Sequence, residues 1–162
     1  MELGISSLGH FNDLALNGKI KSLKGMQIKA TEHCLNFAEE YGIKIVELVI
    51  DPPGILNNEY KEEMIDLIKS YSLKKQVHGP YIDVNLCSCN ARISKASIES
   101  NIEIIKISHQ IDANIMTIHP GLASYISNSI RELNKTELKK SIHHLLDFTS
   151  KKPLLICLEN MP

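Results

Sequence analysis

Five short apolar runs recur along the chain, with helix-period segments between them: Leu3 to Leu8, Ile43 to Ile50, Lys75 to Val77 continuing into His78, Ile115 to Ile118, and Leu154 to Leu158. Each is almost wholly apolar rather than alternating, which is the pattern of strands buried on both faces in a parallel sheet. Successive runs begin about 40 residues apart, the size of one βα unit with moderate loops. Ala30, Cys34, Phe37, Ala38 and Tyr41 stand at helical spacing, and Gly42 follows where a left-handed cap belongs. Tyr60, Met64, Leu67, Ile68 and Tyr71 repeat the spacing, with Asn57 and Asn58 as candidate caps. Ile98, Ile102, Ile105 and Ile111 mark a third helix; Leu138, Ile142, Leu145 and Leu146 mark a fourth, with Thr136 as its candidate cap.

The order is therefore βαβαβαβαβ, an α/β chain of about five parallel strands and four helices. It suits either a five-stranded doubly wound sheet or part of a (β/α)8 TIM barrel, which typically needs about 250 residues. A doubly wound domain normally covers its last strand with a further helix, so the expectation for 1-162 is the N-terminal part of one barrel domain. Edge strands left open in a partial barrel invite self-association.

Charge narrows the function classes. Lys and Arg number 18 against 19 Asp and Glu, so the net charge of −1 supplies no general attraction to nucleic acid or an anionic membrane. No run approaches the roughly 18 apolar residues of a membrane span, and four scattered cysteines in a chain of this size suit reduced thiols, so a cytoplasmic protein is expected. Motifs for dinucleotide binding, P-loops, nucleophile elbows and helical zinc proteases are missing.

In parallel α/β folds chemistry gathers at the carboxyl ends of strands. Here three consecutive strands end in His78, His119 and Glu159. Neighbouring strands lie about 4.8 Å apart, so three such ends span about 10 Å, a distance that converging side chains close around an ion. Imidazole nitrogen with carboxylate oxygen suits a divalent transition metal. His10, read in a Gly-rich turn after the first strand, and Glu47, near the end of the second, are candidate substrate contacts. Cys87-Ser-Cys89 lacks the spacing of a zinc knuckle, and Asp51-Pro52-Pro53-Gly54 reads first as a rigid turn. His109, His143 and His144 fall on helices away from the strand ends.

The segments Val77-His78-Gly79-Pro80-Tyr81 with Asp83-Val84-Asn85-Leu86, Thr117-Ile118-His119-Pro120-Gly121, and Cys157-Leu158-Glu159-Asn160-Met161-Pro162 resemble the xylose-isomerase-like TIM-barrel superfamily. That group includes endonuclease IV and many sugar isomerases and epimerases. The resemblance extends to Met1 to Leu8 and to Val46-Glu47-Leu48, one motif per strand in the family's order. It implies that His78, His119 and Glu159 are metal ligands, with zinc or manganese as the divalent ion. It also implies that further Asp, His and Glu ligands come from strands six to eight, so activity is expected of the full-length enzyme and not of these 162 residues alone. In the mechanism it implies, the metal polarises a carbonyl of a sugar or sugar phosphate while Glu159, as ligand and partial base, serves proton transfer. The expected function is therefore a divalent-metal-dependent sugar or sugar-phosphate isomerase or epimerase acting on a small molecule. The alternatives are an endonuclease IV-like zinc-dependent AP endonuclease, whose partner would be DNA, and a non-catalytic half-barrel.

Overall fold

The structure is a computed structural model describing residues 2–18, 22–51, 58–123, 127–150 and 152–160. Five strands, β1 (Gly4–Ser6), β2 (Ile45–Val49), β3 (Lys74–His78), β4 (Ile115–Ile118) and β5 (Leu155–Leu158), form one sheet. Every pairing is parallel and the order is β1-β2-β3-β4-β5. This is the sequential strand order of a barrel wall, not the doubly wound alternative.

The described helices number five: α1 (Ser7–Asn17), α2 (Leu23–Glu40), α3 (Asn58–Lys69), α4 (Ala91–Gln110) and α5 (Asn128–Thr149). The expectation of four is corrected by α1, which occupies the stretch read as a Gly-rich turn and cuts the first strand to three residues. Its ends are specified locally. The Ser6 hydroxyl accepts from the Leu8 N–H, and Gly18 terminates the helix at φ 61°, a conformation costly for any residue with a Cβ. Gly9 lies inside this helix at a cost of about 1 kcal/mol relative to alanine, which is why the segment reads as a turn.

Side-chain oxygens cap the longer helices too. Ser22 accepts from the Gly25 N–H, Asn90 from Arg92, and Ser127 from Ile130. The Thr136 cap is a second correction, because α5 begins at Asn128 and Thr136 sits inside it, its hydroxyl donating to the Glu132 carbonyl at 3.0 Å. Such back-bonding lets threonine persist in a helix interior. The cap expected at Asn57 lies outside the described residues, as do the side chain of Asn58 and the turn Pro52-Pro53-Gly54.

Helices cover one face of the sheet. Val46, Leu48, Val77, Met116 and Ile118 are fully buried with Cys34, Leu35 and Ala38 of α2, Met64 and Ile68 of α3, and Ile104, Ile105 and Ile107 of α4. Each large apolar side chain so buried contributes about 1.5–3 kcal/mol relative to exposure. The alternate residues, among them Glu47, Gln76, Ile115 and Thr117, face the other side and are only half-buried. Strand periodicity thus puts the packing on one surface and a polar, accessible concave surface on the other. Among the described residues no helix is long and apolar enough to cross a membrane.

Candidate metal centre

Register builds the site. Val49 pairs with His78, His78 with Thr117, and Thr117 with Cys157, so these four lie in one layer of the concave face. One layer further toward the carboxyl ends come His119 and Glu159, each two residues on. The three sequence-predicted ligands therefore converge from two adjacent layers of three neighbouring strands. His78 Nε2 lies 3.0 Å from His119 Nε2, and Glu159 Oε2 lies 3.7 Å from the first and 3.5 Å from the second.

Their chemistry fits an ion. The Nδ1 of His78 is 2.9 Å from the Gly79 carbonyl, which can only accept; Nδ1 therefore carries the proton, and the Nε2 lone pair points at His119. Two ring nitrogens 3.0 Å apart need a proton or a cation between them. A tetrahedral zinc shell with bonds of about 2.1 Å has donor–donor edges of about 3.4 Å, close to the three separations observed. Both imidazoles are 9% exposed, whereas the Glu159 side chain is half-exposed and faces the open mouth. Burial, and then His78 beside it, lowers the pKa of His119, with Glu159 and Asp51 opposing. The neutral, ligating form of His119 is thereby favoured near neutrality.

The loops around His78 and His119 are locked to each other by glycines. A Cβ on Gly79 would lie 2.8 Å from the Thr117 carbonyl oxygen, so β3 and β4 close together only with glycine there. Gly121 has φ 84°, and a Cβ would lie 2.5 Å from the Asn85 Cα. The two loops are also tied by hydrogen bonds from Cys87 N–H to the Pro120 carbonyl and from Asn85 Nδ2 to the Leu122 carbonyl.

Other candidates fall elsewhere. Glu47 lies within β2, in register with Ser6 and Gln76, on the same face as His78 but one layer deeper. His10 is on α1, and its ring contacts are with His33 and Phe37 of α2. His143 and His144 are exposed on α5. Cys87 and Cys89 are free thiols, with Asn134 Nδ2 donating to the Cys87 carbonyl and to the Cys89 sulfur.

Sequence reading missed two neighbours. Tyr81 places its ring 5.4 Å from that of His78, edge-on, and 5.8 Å from that of His119. Asp51, read as part of a turn, is 5% exposed, and its Oδ2 accepts the N–H groups of Tyr81 and Ile82 at 3.1 and 2.8 Å. Its signal was its phase, since it follows Val49 by two residues on the concave face.

This fold and site define the class. The sequence profile of the xylose isomerase-like TIM barrel matches residues 35–162, and the chain belongs to that family. An uncharacterized protein of Methanocaldococcus jannaschii, MJ1614, is 33% identical over 123 residues, covering 76% of this chain and 47% of that protein. The chain spans about half the length of the curated relatives it matches. Among solved structures, D-allulose 3-epimerase from Methylomonas sp. in complex with D-allulose superposes with a TM-score of 0.73 at 15% identity, covering 100% of this chain and 52% of the epimerase. The TTHB071 protein of Thermus thermophilus, soaked with ZnCl2, gives 0.68 at 15% identity, covering 82% and 53%.

Proposed function

We propose that this chain forms the first five strands of a metal-dependent isomerase or epimerase barrel acting on a sugar or sugar phosphate. His78, His119 and Glu159 would hold zinc or manganese. The observation that carries the reading is the donor set of two nitrogens and one oxygen at the carboxyl end of three neighbouring strands, with the His78 tautomer fixed by Gly79. The epimerase likeness of the fold supports the substrate class. A divalent ion bound there supplies Lewis-acid polarisation of a carbonyl. The chain's own part is to present two neutral imidazoles, to exclude water from their buried flank with Tyr81, and to offer the half-exposed Glu159 carboxylate for proton transfer beside the carbonyl.

The test is deuterium exchange by the full-length protein, followed by NMR, at the carbon next to the carbonyl of D-allulose in deuterated buffer with manganese, cobalt or zinc. The expected result is metal-dependent exchange that Glu159→Gln abolishes. Absence of exchange by metal-loaded protein, with incision of an oligonucleotide carrying one abasic site, would replace the sugar reading by a phosphodiesterase one.

A further inference from the structure

Asp51 stands just past the carboxyl end of β2, where His119 and Glu159 stand just past those of β4 and β5. Val49, His78, Thr117 and Cys157 share a layer, and two residues beyond that layer on the same face come Asp51, His119 and Glu159. The carboxylate is nonetheless turned away from water. Its Oδ2 accepts two backbone N–H groups from the turn after β3, those of Tyr81 and Ile82. Its Oδ1 is fully buried and has no hydrogen-bond partner among the described residues. Among the described residues no lysine or arginine forms an ion pair with it. Burial pushes the Asp51 carboxyl above its ordinary value, with the Ile82 and Tyr81 N–H groups and then His78 opposing, so a positive charge brought to the neighbouring imidazoles would favour its ionised form.

A buried anion with one unpaired oxygen is unfavourable for the fold by itself. It becomes favourable if a cation enters the low-dielectric region beside it, where a charge acts over several ångströms without a direct bond. Oδ1 is shielded from solvent, so a substrate atom does not reach it in this conformation. A divalent ion on the neighbouring ligands does not need to.

We propose that Asp51 is the charge-balancing and positioning residue of the metal site: its charge is compensated when a divalent cation seats on His78, His119 and Glu159, and its Oδ2 pins the turn that sets Tyr81 against both imidazoles. This rests on the metal reading above and adds to it a residue that never touches the ion.

The variants Asp51→Asn and Asp51→Ala separate charge from geometry. Asparagine keeps an oxygen that accepts both N–H groups but removes the charge, whereas alanine removes both. Dissociation constants for Zn2+ are measured by competition with a chromophoric chelator, beside the urea midpoint of each metal-free protein. Glu47→Gln is the control for loss of a carboxylate deeper, within β2. The expected result is zinc affinity about tenfold weaker in Asp51→Asn, the scale of outer-shell substitutions, with a metal-free midpoint no lower than wild type. Asp51→Ala should lose more affinity and some stability, and Glu47→Gln should lose less affinity than Asp51→Asn. Wild-type zinc affinity in Asp51→Asn would leave Asp51 a structural post and overturn the inference while sparing the metal reading. Failure of the wild-type protein to bind zinc would overturn both. Should Asp51→Asn not fold, amide hydrogen exchange at Tyr81 and Ile82 of the wild type decides. It should slow severalfold on zinc addition, and an unchanged rate would contradict the proposal.

Discussion

His78 and His119 meet through their Nε2 atoms at 3.0 Å across the β3–β4 pair, with the far nitrogen of His78 tied to the Gly79 carbonyl. Backbone register puts the two residues in adjacent layers of neighbouring strands on one face, because His119 follows by two residues the Thr117 that pairs with His78. Two nitrogens so placed call for a shared proton or a shared cation, and the loops after β3 and β4 hold them there.

Acid should weaken the metal-free protein through His119. Burial and the neighbouring His78 lower its pKa below the ordinary value of 6.5. The unfolded chain then binds more protons than the native state in the window below 6.5, so this contribution is present above that pH and is lost as pH falls toward the lower native value. Urea unfolding in chelator at about pH 7.5 and about pH 5.5 checks it. The midpoint should fall on acidification, and fall less in His119→Asn; equal falls in both proteins would refute the assignment.

Gly121→Ala should destabilise by about 3 kcal/mol, summing the positive φ with the close approach to Asn85. Gly9→Ala is the contrast, since a Cβ there meets nothing within 4 Å and the residue lies in a helix. It should stabilise by about 1 kcal/mol. Urea midpoints of the two variants on opposite sides of wild type are the expected outcome, and the same sign for both would be inconsistent with these local geometries.

Thiol reactivity should be ordered by burial. The Cys34 thiol is pushed up to about 11 by burial and then by Glu47, and its sulfur points to the Ile5 carbonyl. Cys89 is exposed. Iodoacetamide at neutral pH should modify Cys89 first and leave Cys34 untouched until urea unfolds the chain, as mass spectrometry of the peptides would show. Early labelling of Cys34 would contradict its place in the core.

The strands and the convergence of His78, His119 and Glu159 were legible because both follow from period and phase. Ile115 to Ile118 reads as a buried strand from four consecutive apolar or β-branched residues, and β4 has these bounds. His78, His119 and Glu159 stood out because each directly follows, or ends, such a run. The first helix was hidden because Gly9 breaks the helical reading, while its real signals are Ser6 before it and Gly18 after it. Thr136 misled because its hydroxyl bonds backward to Glu132, which a sequence cannot distinguish from a cap. Asp51 was masked by the prolines after it: a turn motif explained the residue before its strand phase was considered. Tyr81 owes its role to a backbone held by Asp51 from the end of another strand, a contact 30 residues away in sequence.

One ion bound by three strands is the centre of the functional reading. Cobalt titration followed by absorption spectroscopy, with metal content by plasma mass spectrometry after dialysis, measures this directly. The wild-type chain should retain about one equivalent and show the intense visible bands of low-coordinate cobalt, while His78→Ala, His119→Ala and Glu159→Ala each lose both. Metal content and spectra unchanged in all three variants would contradict it.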